Sequence, residues 1–116
     1  MQFIELIFWL IVGHAVADYA LQSPYMAAAK SRHSSEGSGI WFWILFMHAC
    51  VHGGMVAYAT GYVYLGLAEI VLHMWIDYSK TEGRFGSGPK AHIRDQQLHI
   101  LCKMLWAVIT LTLTSG

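Results

Sequence analysis

The sequence predicts an all-α integral membrane protein, a four-helix bundle with antiparallel up-down-up-down topology. Hydrophobic residues make up 56% of the 116 residues and charged residues only 12%, about half the charged fraction of a typical soluble domain. Four spans of about 20 apolar residues use about 80 residues, so the chain accommodates one four-span transmembrane domain covering residues 1–116. The formal net charge is zero, so no nucleic-acid partner is expected.

The four spans follow from the apolar runs and from the residues that interrupt them. We predict spans at about 3–21, 40–60, 63–79 and 95–113. A Ser/Gly-rich loop separates the first two, a very tight turn near Gly61 the next two, and a Gly/Lys/Arg loop the last two. We expect the first span to be retained rather than cleaved as a signal peptide, because no basic residue precedes it and it carries Glu5.

The basic residues of the loops predict the orientation. They fall in the first and third loops: Lys30, Arg32, Lys80, Arg84, Lys90 and Arg94. The positive-inside rule places these two loops in the cytoplasm and both termini outside it. We therefore expect a protein of the bacterial inner membrane, with membrane lipids as partners.

Each predicted span carries one pair of side chains at i,i+4 that can bind a metal ion. The pairs are His14 and Asp18, His48 and His52, His73 and Asp77, and Asp95 and His99. This spacing puts both side chains of a pair on one helix face, as in recurrent metal-binding motifs. All four pairs fall toward the cytoplasmic ends of their spans, so we expect them to meet. His52 is expected some 15 Å deeper than Asp95, which helix tilt must absorb unless one of the two only supports a ligand.

The alternative interpretation is that these residues only form hydrogen bonds between helices. Such bonds contribute about 0.6 kcal/mol on average, whereas a carboxylate near the centre of a span costs roughly 2.5–3.5 kcal/mol. Three carboxylates lie in or at the edge of the predicted spans, those of Asp18, Asp77 and Asp95. A structural zinc contributes about 10–16 kcal/mol in small peptides. We therefore predict one or two divalent transition-metal ions per chain, with Zn²⁺ favoured and Mn²⁺ or Fe²⁺ as alternatives.

Two further ionisable residues lie within the spans. Glu69 precedes His73 by four residues and is a candidate ligand, supporting group or general base, of which we predict the catalytic base. Lys103 follows His99 by four residues, and we expect it to pair with a carboxylate inside the bundle.

Other polar residues lie at or beyond the cytoplasmic ends of the spans. Gln22, Lys80 and Gln96 are placed at the cytoplasmic mouth, where they either bind an anionic head group or only end helices at the interface. His33 and His92 fall in loops, and we expect both to be solvated. The loop lysines and arginines are expected to set the topology and to contact anionic lipid.

Several stretches around these residues resemble the domain-of-unknown-function 3307 family of small bacterial and phage polytopic membrane proteins. In chain order they are HAVADYALQ (14–22), MAAAK (26–30), HACVHG (48–53), GLAE (66–69), HMWIDYSK (73–80) and DQQLH (95–99). The stretches KTEG (80–83) and CKMLW (102–106) are most similar to the phage-encoded type. The resemblance implies a polytopic membrane protein and brings no established activity with it.

The residues together predict a His/Asp metal site inside the membrane near the cytoplasmic leaflet. A bound ion there would activate water and polarise an acyl or phosphoryl oxygen, which indicates a metal-dependent hydrolase of a lipid or lipid-linked substrate. One alternative is an ion or proton transporter or channel, which needs polar residues along the whole path and a homo-oligomer to widen it. Another is a phage factor that binds a host membrane protein and holds a structural metal.

Overall fold

The computed structural model describes residues 2–115, and this part of the chain is helical, with no β-strand. Five α-helices follow in order: α1 (Phe3–Ala15), α2 (Pro24–Ala29), α3 (Trp41–Thr60), α4 (Val63–Thr81) and α5 (Gly88–Ser115). A π-helical segment, Val16–Ala20, continues α1. The described chain is elongated, measuring 48 × 26 × 21 Å. The all-α expectation is confirmed.

Three stretches of helix are long and apolar enough to cross a membrane. They are Phe3–Ala20, Trp41–Thr60 and Gly88–Thr114, which coincide with the predicted first, second and fourth spans. The helix of the predicted third span, α4, is not among those found in the described residues. Glu69, His73 and Asp77 lie within its 19 residues and lower its mean hydropathy.

The π-helical segment is a widened turn at the end of the first long helix. Its defining bond joins the Leu21 N–H to the Val16 carbonyl at 2.8 Å, a five-residue step instead of the usual four. Asp18 lies within this segment and is buried. Single π-helical turns inside α-helices are frequent at functional sites, and this turn determines where the Asp18 carboxylate points.

The segment expected as a Ser/Gly-rich loop, residues 22–39, contains the short helix α2. The Ser23 hydroxyl accepts a hydrogen bond from the Met26 N–H at 3.1 Å, and Pro24 occupies the start of the helix. A capping serine followed by proline is a favoured way to begin a helix. Lys30 caps the C-terminal end of α2, and its side chain reaches Asp77 on α4.

Helices α3 and α4 form a hairpin closed by the expected tight turn. Gly61 ends α3 with a φ of 78°, a left-handed conformation that favours glycine, and α4 begins two residues later. Farther along the hairpin the backbones approach closely, because a Cβ added at Gly53 would lie 2.7 Å from the Gly66 carbonyl oxygen. This close crossing makes α3 and α4 the most extensively packed helix pair.

The last helix is longer than the sequence analysis predicts. α5 begins at Gly88, whereas the predicted span begins at residue 95 and the third loop was expected to reach Arg94. Pro89 lies in the first turn of α5, where a missing N–H costs no hydrogen bond. The N-terminal extension of α5 carries His92 on a helix rather than in a loop.

The interior has an apolar end and a polar end. Buried apolar residues from all four long helices pack together: Leu6, Leu10, Val56, Leu65, Trp106 and Ala107. These residues precede the buried His and Asp residues along α1 and α4, and follow them along α3 and α5. The polar end is therefore built from the later parts of α1 and α4 and the earlier parts of α3 and α5.

Candidate metal centre

The structure brings all eight predicted ligands together at the polar end. We call this set the polar cluster: His14, Asp18, His48, His52, His73, Asp77, Asp95 and His99. Every member is buried, with exposures between 0% and 8%. The expected depth difference between His52 and Asp95 does not separate them, since Asp18 and Gln96 link the two sides through hydrogen bonds. The polar cluster thus gathers five imidazoles and three carboxylates out of contact with solvent.

Asp18 is the centre of one half of the polar cluster. Its Oδ1 atom lies 3.1 Å from His48 Nε2 and 3.2 Å from His52 Nε2. Its Oδ2 atom accepts a hydrogen bond of 2.7 Å from Gln96 Nε2. Two imidazoles from α3 therefore converge on one carboxylate oxygen supplied by the π-helical segment.

Asp77 is the centre of the other half and also faces the first half. Its Oδ1 lies 3.0 Å from His99 Nε2. Its Oδ2 lies 3.3 Å from His73 Nε2 and 3.5 Å from His48 Nε2. Asp95 Oδ1 approaches the same His99 nitrogen at 3.4 Å. The two oxygens of Asp77 therefore point toward two different groups of donors.

The imidazole rings lie against one another as well as against the carboxylates. His73 stacks between His52 and His99, with ring centroids 3.7 Å and 4.1 Å away and interplanar angles of 25° in both cases. Three imidazoles, one each from α3, α4 and α5, are therefore in contact with one another inside the polar cluster.

Several buried atoms of the polar cluster have no hydrogen-bond partner among the described residues. They are His14 Nδ1, His52 Nδ1, His73 Nε2, Asp95 Oδ1 and His99 Nδ1. A buried polar atom without a partner costs roughly 1–3 kcal/mol, so its presence needs a reason. For His73 Nε2 and Asp95 Oδ1, which face other donor atoms of the cluster, a bound cation would supply one.

Three groups of side chains in the described residues offer ligand atoms that all lie within 4.8 Å of one another. The first is Asp18, His48, His52 and His73; the second is Asp77, Asp95 and His99; the third is Glu69, His73 and His99. Ligands held about 2.0–2.1 Å from a tetrahedral ion are about 3.3 Å apart, close to the 3.1 Å between Asp18 and His48 and the 3.0 Å between Asp77 and His99. The donor set could therefore hold a metal ion.

His14 is the one predicted ligand outside these three groups. Its Nε2 donates a hydrogen bond of 2.8 Å to Gln96 Oε1 and lies 3.7 Å from Asp18 Oδ2. In this arrangement His14 holds Gln96 in place, and Gln96 in turn holds Asp18. A metal-binding role for His14 stays a prediction.

Glu69 lies next to the polar cluster with both carboxylate oxygens engaged. Oε1 accepts hydrogen bonds of 2.8 Å from Lys103 Nζ and from Trp106 Nε1, and Oε2 lies 3.1 Å from His73 Nδ1. The expected pairing of Lys103 with a carboxylate is thus present, and Lys103 is only 2% exposed. These contacts favour a supporting role for Glu69 over that of the predicted base, which needs a free lone pair beside substrate.

Two residues of the site were not recognised as such in the sequence. Lys30 was assigned to the topology-determining charges, yet its Nζ donates a hydrogen bond of 2.9 Å to Asp77 Oδ2. Gln96 was placed at the cytoplasmic mouth, yet it bridges His14, Asp18 and Asp95. The i,i+4 rule selects neither, because Lys30 reaches the site from the end of α2 and Gln96 from a position adjacent to Asp95.

His33 is solvated as expected, with its side chain 55% exposed, and both histidines expected in loops also have polar partners. His33 Nε2 lies 2.8 Å from Glu82 Oε2, and Arg32 pairs with the same carboxylate. Hydrogen bonds from Arg32 and His33 lower the pKa of Glu82 to about 2. His92 Nε2 lies 2.8 Å from the Tyr19 hydroxyl. Glu82 thus joins the segment after α2 to the end of α4.

The geometry can be compared with known proteins. The model of one family, described as a protein of unknown function (DUF3307), matches residues 6–115. This match includes every residue of the polar cluster together with Lys30, Glu69, Gln96 and Lys103. Comparison with curated proteins gives no match, and comparison with solved structures gives none.

Proposed function

This chain belongs to the DUF3307 family of proteins of unknown function, and from that premise we propose that it is a four-span membrane protein with divalent metal ions in its polar cluster. The protein uses these ions to hydrolyse a lipid or lipid-linked substrate. The observation that carries the proposal is the group formed by Asp18, His48, His52 and His73. Their four ligand atoms converge in a buried site, where unpaired polar groups would otherwise be costly.

The distribution of polar and apolar residues on α4 supports its role as the fourth span. Its ionisable residues Glu69, His73 and Asp77 are between 0% and 2% exposed. Its exposed positions are apolar or aromatic, as Val71 at 68% and Trp75 at 58% illustrate. A helix with its polar face inside and its apolar face outside is matched to lipid rather than water. Four antiparallel spans then place the polar end on the cytoplasmic side, with both termini outside.

Two of the three groups of candidate ligands form metal centres with different properties. Asp18, His48, His52 and His73 form a complete set of four, which is typical of a structural zinc site. Asp77, Asp95 and His99 form a set of three, which leaves a position for water or substrate as catalytic sites do. The carboxylate of Asp77 faces both groups through its two oxygens, as a bridging ligand in a two-metal site would.

The three-ligand centre supplies the chemistry of the proposed reaction. A metal ion held there by Asp77, Asp95 and His99 would lower the pKa of a water molecule and would polarise an acyl or phosphoryl oxygen. Lys30, which lies beside Asp77, provides a cation that stabilises negative charge on the substrate. Burial of the site within the bundle excludes bulk water and strengthens these electrostatic interactions.

Metal content tests the proposal directly. We expect elemental analysis by plasma mass spectrometry to give about two ions per chain in protein never exposed to chelator. Asp95→Asn should lose about one ion, because it disrupts only the three-ligand centre. His48→Ala should lose the ion of the four-ligand centre. His33→Gln is the matched control, since the hydrogen bonds of His33 within the described residues go to Glu82 and Ser31, outside the polar cluster. Fewer than about 0.2 ions per chain in wild-type protein would overturn the metal site.

A second experiment tests hydrolysis apart from binding. Purified protein should release a water-soluble product from a membrane lipid extract, and Asp95→Asn should abolish this release while the four-ligand centre stays loaded. Equal release by wild type and Asp95→Asn would contradict the assignment of catalysis to the three-ligand centre. A fully loaded protein without release would leave the metal with a structural role alone.

A further inference from the structure

A groove with polar and apolar ends lies on the surface between the π-helical segment and α5. It has a volume of about 680 Å³, within the range of sites for small amphiphiles. Tyr19 and His92 line one part, Ile100 and Leu101 another, and Gln96 lies along it. Because Gln96 also hydrogen-bonds to Asp18 and Asp95, one side chain separates the groove from the polar cluster.

The polar end of the groove presents hydrogen-bond donors to the outside. Lys80 Nζ lies 3.3 Å from His92 Nδ1, and His92 Nε2 lies 2.8 Å from the Tyr19 hydroxyl oxygen. An ammonium group can only donate, so His92 Nδ1 accepts and its Nε2–H donates to Tyr19. The hydroxyl hydrogen of Tyr19 and two N–H groups of Lys80 are then left to donate to a ligand.

Lys80 supplies a positive charge beside this end of the groove, at His92. Within residues 2–115, no ion pair involves Lys80. Two outward donors beside an uncompensated ammonium suit the oxygens of a phosphate group. A zwitterionic head group would instead bring its own cation toward Lys80.

The apolar end suits a hydrocarbon chain. Ile93 is 55% exposed and Leu101 is 63% exposed, and both line the groove together with Ile100. These residues lie farther along α5 than His92, so the groove passes from cationic to apolar along the direction from cytoplasmic surface to membrane interior. That sequence of environments matches a phospholipid from its phosphate to its acyl chain.

We propose that this groove binds an anionic phospholipid, with its phosphate on Tyr19 and Lys80 and one acyl chain along Ile100 and Leu101. This inference rests on the proposed membrane location and names the class of substrate that reaches the metal centre. The bound phosphate lies beside Gln96, whose amide contacts the carboxylates of both donor groups. Gln96 is then the side chain through which an occupied groove acts on the polar cluster.

Lipid retention measured by native mass spectrometry tests the groove. Protein is released from nanodiscs of equal parts phosphatidylglycerol and phosphatidylcholine, and bound lipids are counted. Wild type should retain one phosphatidylglycerol with about tenfold preference, and Lys80→Gln should remove most of that preference. Tyr19→Phe loses a donor to the phosphate that both lipids share and should reduce retention of either lipid about tenfold. Lys90→Gln removes the same charge from an exposed residue that, unlike Lys80, has no described contact with His92, and this variant should retain the lipid.

The outcomes separate this inference from the proposed function. Equal retention by the Lys80→Gln and Lys90→Gln variants, or no preference for phosphatidylglycerol in wild type, would overturn the groove as a phospholipid site. Metal content measured on the same preparations reports on the polar cluster independently, because neither Lys80 nor Tyr19 belongs to any of the three groups of candidate ligands. Loss of lipid with metal retained would confirm the groove and show that the variant has folded.

Discussion

The contacts of Glu69 determine which nitrogen of His73 faces the polar cluster. The Glu69 carboxylate accepts the Nδ1–H of His73, so Nε2 is the nitrogen that keeps a lone pair for a metal ion. Lys103 and Trp106 hold the carboxylate in place from the other side. Carboxylate–histidine–metal arrangements of this kind fix both the tautomer and the orientation of the ligand.

Glu69→Gln should therefore weaken metal binding by about 10–100-fold. If the amide oxygen accepts from Lys103 and Trp106, the amide NH₂ faces the Nδ1–H of His73, and the imidazole must move its proton to Nε2 to avoid two opposed donors. Metal affinity is measured by competition with a chromogenic chelator. Glu36→Gln, a change of the same kind at an exposed residue, is the control.

Unchanged affinity in Glu69→Gln would show that this carboxylate does not set the tautomer of His73. If product release were then lost with metal affinity intact, Glu69 would be the base that the sequence analysis predicts. A positioning role for Glu69 predicts lower metal affinity in Glu69→Gln, whereas a role as base predicts lower activity at unchanged metal affinity.

At the scale of the helices, the hairpin of α3 and α4 depends on two facing glycines. A Cβ at Gly66 would lie 2.6 Å from the Gly53 carbonyl oxygen and 2.9 Å from Ala57 Cβ. Both are too close for a real contact, and the obstacles are backbone and a short side chain. Small residues at such crossings let helix backbones approach, and here the approach brings His52 and His73 into stacking distance.

Gly66→Ala should destabilise the protein by about 1–3 kcal/mol and lower its metal content. Gly54→Ala is the matched control, because a Cβ there meets nothing within 4 Å and alanine is the better helix former by about 1 kcal/mol. Thermal unfolding in detergent, followed by circular dichroism, should place Gly54→Ala at or above wild type. Similar melting temperatures for both variants would contradict the importance of the crossing.

The extent to which the sequence predicts the structure differs between regular and irregular elements. Apolar runs and the Gly61 signal place α3 and α4, and α1 together with its π-helical continuation, within about two residues of their observed ends, and the i,i+4 rule selects all eight residues of the polar cluster. The sequence pattern could not reveal the π-helical turn at Asp18, since this turn depends on packing against α3 and α5. Lys30 and Gln96 were misassigned because their contacts come from other elements across the fold, which no local pattern encodes.

For the whole molecule, the proposed orientation is the property most directly open to test. All basic loop residues belong to the first and third connections, so both termini should face away from the cytoplasm. An alkaline phosphatase reporter fused after Gly116 should be active, and a fluorescent-protein reporter at the same position should be dark. The opposite pattern would require an odd number of spans or an inverted bundle.

The contents of α4 have a consequence for how the protein enters the membrane. On its own this helix would expose Glu69, His73 and Asp77 to hydrocarbon, and each acidic residue near its centre costs roughly 2.5–3.5 kcal/mol. Their partners on the neighbouring hairpin arm, notably His48 and His52, are joined to α4 by a two-residue connection. Biogenesis should therefore deliver α3 and α4 to the lipid as one unit. In a glycosylation-mapping assay with microsomes, α4 alone should be translocated across the membrane without integration, whereas the α3–α4 hairpin should integrate; efficient integration of α4 alone would show that it needs no partner.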